Sequence, residues 1–81
     1  MKVVKRGEAV PALLFQGDRV TCSISHQLRI GREETWVRYE AQTSLQEEES
    51  QQEAAVRIVG VVNRGVLYAV DEAVAAVQAR S

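Results

Sequence analysis

The chain has 81 residues, with ten Lys and Arg, eleven Asp and Glu, one His, and a formal net charge of −1. Its 46% hydrophobic and 26% charged residues fit one folded domain, not a disordered segment. A single Cys excludes an intramolecular disulfide and a Cys-based zinc site, and a single His argues against a His-rich metal centre or a Ser/His/Asp triad.

The N-terminus, Met1-Lys2-Val3-Val4-Lys5-Arg6, is basic, but Gly7, Glu8 and Pro11 interrupt any apolar run. No signal peptide is predicted. Residues 1–19 read as an N-terminal strand and loop. Lys2 to Arg6 forms an edge strand and Ala12 to Gln16 a second short one, with Pro11 restricting pairing between them. Gly17-Asp18 reads as the turn that follows.

Residues 20–45 read as a β-hairpin. Val20, Cys22, Ile24, His26, Leu28 and Ile30 fall in one phase, and Thr21, Ser23, Ser25, Gln27 and Arg29 in the other. A period of two marks a strand buried on one face only. Gly31-Arg32-Glu33-Glu34 supplies a polar loop. Thr35, Val37, Tyr39, Ala41, Thr43 and Leu45 then take the inner phase of a second strand, with Trp36, Arg38, Glu40, Gln42 and Ser44 outside. Setting Ile30 opposite Thr35 pairs Leu28 with Val37, His26 with Tyr39, Ile24 with Ala41, Cys22 with Thr43 and Val20 with Leu45. The same register pairs Arg29 with Trp36 and Gln27 with Arg38 outside. Like meets like throughout, as a correct choice of faces requires.

Residues 50–80 read as one long amphipathic helix. Ser50-Gln51-Gln52-Glu53 has the spacing of a capping box, and Glu47, Glu48 and Glu49 lie before its positive end. Ala55, Ile58, Val59, Val62, Val66, Val70, Ala73, Val74 and Val77 recur every three to four residues. The stripe crosses Asn63-Arg64-Gly65 without losing phase. One helix, kinked near Gly60 or Gly65 if anywhere, is therefore the first choice, and a break at 63–65 is the alternative. Unbroken, it would be about 45 Å long, against about 23 Å for a seven-residue strand pair. The stretch Ala54 to Val70 contains Arg57, Asn63 and Arg64, so no membrane span is expected. A cytoplasmic protein with Cys22 reduced is the expectation.

Candidate chemistry is sparse. His26 facing Tyr39 has the elements of an acid/base couple, but no carboxylate or second His shares the phase, so a structural role is expected. Cys22 reads as a small core residue. The consecutive Glu47, Glu48 and Glu49 point in different directions and have no metal-loop spacing. Neither a phosphate loop nor another enzyme signature occurs. Residues 1–39 carry seven basic residues against four acids, and residues 40–81 the reverse balance of three against seven. Arg29, Trp36, Arg38 and Gln27 gather on the outer hairpin face, which makes a candidate nucleic-acid surface.

The helix is wider in apolar surface than a sheet requires. Its polar stripe runs through Glu53, Arg57, Gly60, Arg64, Tyr68, Asp71, Glu72 and Gln78, while Ala54, Val56, Val61, Leu67 and Ala69 add apolar surface beyond the main face. Such excess calls for a partner. Val62, Val66, Leu67, Val70 and Val74 are the candidate oligomer interface. The sequence therefore predicts an α+β protein without catalytic residues, cofactor or metal. It is expected to act by self-association, a dimer first, and by binding a protein partner. A nucleic-acid-binding protein is the alternative.

Overall fold

The computed structural model describes residues 3–80. Three strands precede one helix: β1 (Val4–Gln16), β2 (Arg19–Ile30), β3 (Glu33–Ser44) and α1 (Gln51–Arg80). The strands form one antiparallel sheet in the order β1-β2-β3. This is the α+β arrangement that the alternating and helical periodicities predict. The expected strand start at Lys2 lies outside the described residues.

The N-terminal segment differs from expectation. In place of two short strands, the structure has one strand of 13 residues. Its pairing slips between Arg6 and Ala9, where Gly7 and Glu8 together face the single residue Gln27. That is a β-bulge, and it exchanges the two faces of the strand. Before it Val4 and Arg6 point inward; after it Ala9, Pro11, Leu13 and Phe15 do. The change of phase hides the strand from a period-two test. A side chain at Gly7 would press on the Gln27 side chain, which would have to shift to admit it. Pro11 does not break the strand for a separate reason. The two-residue loop Gly17-Asp18 makes Gln16 and Arg19 its hydrogen-bonded closing pair. By alternation, Pro11 then turns its nitrogen away from β2 and removes no ladder bond.

Both hairpin loops have two residues, and each begins with a glycine in the left-handed region: Gly17 at φ 59° and Gly31 at φ 63°. With Asp18 and Arg32 at negative φ, this is the glycine-first turn that suits the twist of paired strands. The tight Gly31-Arg32 loop corrects the expected register. Glu33 and Glu34 belong to β3, and Ile30 faces Glu33 instead of Thr35. Leu28 faces Thr35, His26 faces Val37, Ile24 faces Tyr39, Cys22 faces Ala41 and Val20 faces Thr43. A slip of two residues leaves every side chain on its expected face. Outside, it sets Arg29 against Glu34 and Gln27 against Trp36.

The helix is unbroken from Gln51 to Arg80, with no interruption at residues 63–65. Its capping box is formed as expected: Glu53 N donates to Ser50 Oγ at 3.1 Å, and Ser50 N donates to Glu53 Oε1 at 3.1 Å. Strands of 12 or 13 residues span about 40 Å, so the sheet nearly matches the helix. The expected mismatch between a 45 Å helix and a 23 Å hairpin disappears because the strands have 12 or 13 residues and not seven. Val20, Cys22 and Ile24 of β2 pack against Ala54, Ala55, Ile58, Val62 and Val66 of α1 to form the core. Leu28 and Val70 are also fully buried.

Candidate functional site

The helix lies across β2 and β3 and touches β1 only slightly. Every residue of β1 after Val4 is exposed, although four of them are large and apolar. The inner residues Leu13 and Phe15 are 44% and 45% exposed, and the outer residues Val10 and Leu14 are 47% and 53% exposed. The near flank of α1 adds Val56, 71% exposed. Between strand and helix runs an apolar groove of about 450 Å³, lined by Leu13, Phe15, Gln51, Gln52, Ala55, Val56 and Val59. Leu13 and Phe15 form the floor, and Val56 and Val59 the wall.

The five residues expected at an oligomer interface divide between two roles. Val62, Val66 and Val70 are buried against the chain's own sheet. This corrects their assignment to a partner surface, because the regular stripe they form is what the sheet consumes. Val74 is half-buried and Leu67 is exposed. Exposed apolar surface remains on the flanks, where Val56, Val61 and Leu67 stand. Sequence reasoning found the excess on the helix but missed Leu13 and Phe15. Their signal is the run Ala12-Leu13-Leu14-Phe15, apolar in both phases, which is how a strand covered on both faces reads.

The outer face brings together Gln27, Arg29, Trp36 and Arg38, as the hairpin pattern requires. Acids accompany them. Arg38 Nη2 donates to Glu40 Oε2 at 2.5 Å, and Trp36 Nε1 donates to Glu34 Oε1 at 3.1 Å. Arg29 sits opposite Glu34 in the strand register. The positive charge of this face is therefore offset locally, which weakens its hold on a phosphate backbone.

His26 faces Val37, not Tyr39, so the expected pairing of His26 with Tyr39 does not form. Its Nδ1 donates to the Gln27 carbonyl at 3.1 Å. Tyr39 instead lies against the helix at Gly65, where an added Cβ would sit 2.5 Å from the ring. Cys22 is buried in the core, and burial pushes its thiol pKa up, away from the reactive thiolate.

Glu49 is a residue whose role the sequence conceals. The Arg57 guanidinium grips it in two places: Nε donates to Oε2 at 3.0 Å and Nη2 to Oε1 at 2.8 Å. Arg57 also donates to Thr43 Oγ1 at 2.9 Å and to the Ser44 carbonyl at 3.2 Å. The Arg57 hydrogen bonds, helped by the Gln46 backbone N–H, lower the Glu49 pKa to about 2. This cluster ties the end of β3 to the first turns of α1.

Among the described residues there is no group of three or more His, Cys, Asp and Glu placed to hold a metal ion. No helix there is long and apolar enough to cross a membrane. No family model, curated protein or solved structure matches the chain.

Proposed function

We propose that this protein is an association module, which works by contact and not by chemistry, and that a second copy of the chain is its first partner. The observation that carries the reading is the open groove between β1 and α1. Leu13, Phe15 and Val56 each leave a large apolar side chain in water along one continuous channel. Monomers seldom tolerate such a channel unless something binds there. A two-fold contact is the commonest way to cover it. A further protein partner of matching apolar surface would then bind the assembled dimer.

Light scattering over a dilution series tests the proposal, on the native chain and on Phe15→Glu and Val56→Glu. Both positions are exposed, so the variants should keep their helix content and melting behaviour. The native chain should form a dimer at high concentration, and each variant should remain monomeric there. A native chain that is monomeric at every concentration, or a dimer that ignores both substitutions, overturns the reading.

A further inference from the structure

The two edges of the sheet differ in a way that specifies how two copies would meet. β3 carries Glu33, Glu34, Arg38 and Glu40 along its length, the charge by which natural proteins blunt an edge. β1 carries no charge from Ala9 to Gln16. In that half its protection is Pro11, the charges and the bulge lying before Ala9. By the alternation fixed at Gln16/Arg19, the residues of β1 whose N–H and C=O point away from β2 are Ala9, Pro11, Leu13 and Phe15. Pro11 has no N–H to offer. A strand added to this edge finds complete donors and acceptors at Ala9, Leu13 and Phe15 in the apolar half, with a gap at Pro11 between them.

We propose, building on the reading of the groove as a self-association site, that β1 pairs antiparallel with β1 of a second copy, centred on Leu14. The two sheets then become one of six strands. In this register Leu13 of each copy faces Phe15 of the other, and the two pairs exchange four main-chain hydrogen bonds. Leu14 faces Leu14 of the partner subunit across the two-fold axis, on the outer face. Pro11 falls opposite the Gly17 turn, where pairing has ended, and so spoils no bond. Shifting the centre to Leu13 sets Pro11 against Phe15 and leaves a carbonyl without its donor. A centre at Ala12 sets Pro11 against Leu13 and orphans a carbonyl in the same way.

The same symmetry places both helices on one side of the joined sheet. The two grooves meet, and the four side chains Leu13 and Phe15 from both copies floor a shared apolar channel between the Val56 flanks. Leu13, Leu14, Phe15 and Val56 leave roughly 300 Å² of apolar surface per copy, about the apolar share of the smaller specific interfaces. A reversible dimer fits that area; an obligate one needs more.

Cysteine cross-linking reads the register directly. Directly opposed residues of a non-hydrogen-bonded pair are close enough to form a disulfide. Leu14→Cys should therefore cross-link to its own copy under mild oxidation, at least ten-fold faster than Val10→Cys. The two thiols introduced by Val10→Cys would stand about 26 Å apart along the strands. The double variant Ala12→Cys/Gln16→Cys should cross-link between copies as well, leaving Leu14 untouched. Cys22 is buried, so the native chain is the blank. Light scattering on the same samples separates two failures. A dimer in which neither Cys set outpaces Val10→Cys overturns the register and leaves the groove reading standing. A chain that stays monomeric overturns both.

Discussion

The sheet has two edges built on different terms. β3 lies beside the helix, and its inner side chains Val37, Ala41 and Thr43 are half-buried while its solvent side is charged. β1 lies beyond the helix with apolar side chains on both faces and almost nothing over them. The alternation rule describes β3 and fails on β1 because it presumes one dry face and one wet one. β1 therefore has the composition of an interior strand in the position of an edge strand. The work is divided unequally: β2, β3 and α1 hold the fold, and β1 supplies the unfilled surface.

The largest test of that division compares one substitution at two places on the same face. Leu28→Ala removes a fully buried side chain from the strip under the helix and should cost about 2–5 kcal/mol. Leu13→Ala, in the open half of the sheet, should cost less than about 1 kcal/mol at concentrations too low for association. Denaturant unfolding followed by circular dichroism measures both. Equal losses would mean that β1 is covered in the isolated chain and that the contrast between the two edges is false.

How much of this was legible in the sequence depends on which symmetry each signal respects. The faces of β2 and β3 were readable because the period-two pattern reports faces. Their register was not, since a shift of two residues preserves every face and only the loop length decides it. Gly31 with positive φ allows a two-residue loop, and that drew Glu33 and Glu34 into the strand. β1 was hidden by the bulge at Gly7, which reverses phase midway. The helix was readable from end to end, capping box included. The proposed contact surface was half legible: excess apolar positions on α1 stood out, but which of them the sheet would consume required the packing. The Glu49–Arg57 pair spans eight residues, a separation outside the three- and four-residue rule that makes helical pairs readable.

A smaller effect sharpens the comparison from the β3 side. Two helical glycines look alike in sequence and differ in surroundings. At Gly65 a new Cβ would meet the Tyr39 ring of β3 at 2.5 to 2.7 Å, whereas at Gly60 the nearest atom is Arg64 Nη1 at 3.7 Å. Gly65→Ala should destabilise by about 1–3 kcal/mol, because the ring or the helix must move. Gly60→Ala should stabilise by about 0.5–1 kcal/mol through helix propensity alone. Opposite signs in thermal melts would show that contact with β3 sets the height of the helix over the sheet. A gain at both positions would show a helix free to shift, and the seat on β3 would be misassigned.

The smallest effect concerns the polar ties at the two edges, and pH separates them. On the β3 side, Glu49 is held by Arg57 with its pKa lowered from an ordinary 4.5 to about 2. A carboxylate whose folded pKa is depressed stabilises the fold above its unfolded pKa and loses that contribution as pH falls toward the folded value. This part of the stability should therefore be whole at neutral pH and decline between about 4.5 and about 2. On the β1 side, Arg6 Nη2 meets Asp71 Oδ1 at 2.5 Å, but both side chains are more than half exposed. Such a pair contributes at most about 1 kcal/mol and is screened by salt. Melting temperatures from pH 7 to pH 2 should fall less steeply in Arg57→Gln than in the native chain through the acid range. Arg6→Gln should run nearly parallel to the native curve and differ chiefly at low ionic strength. Superimposable curves for the native chain and Arg57→Gln would remove the Glu49 clasp as the link between β3 and α1.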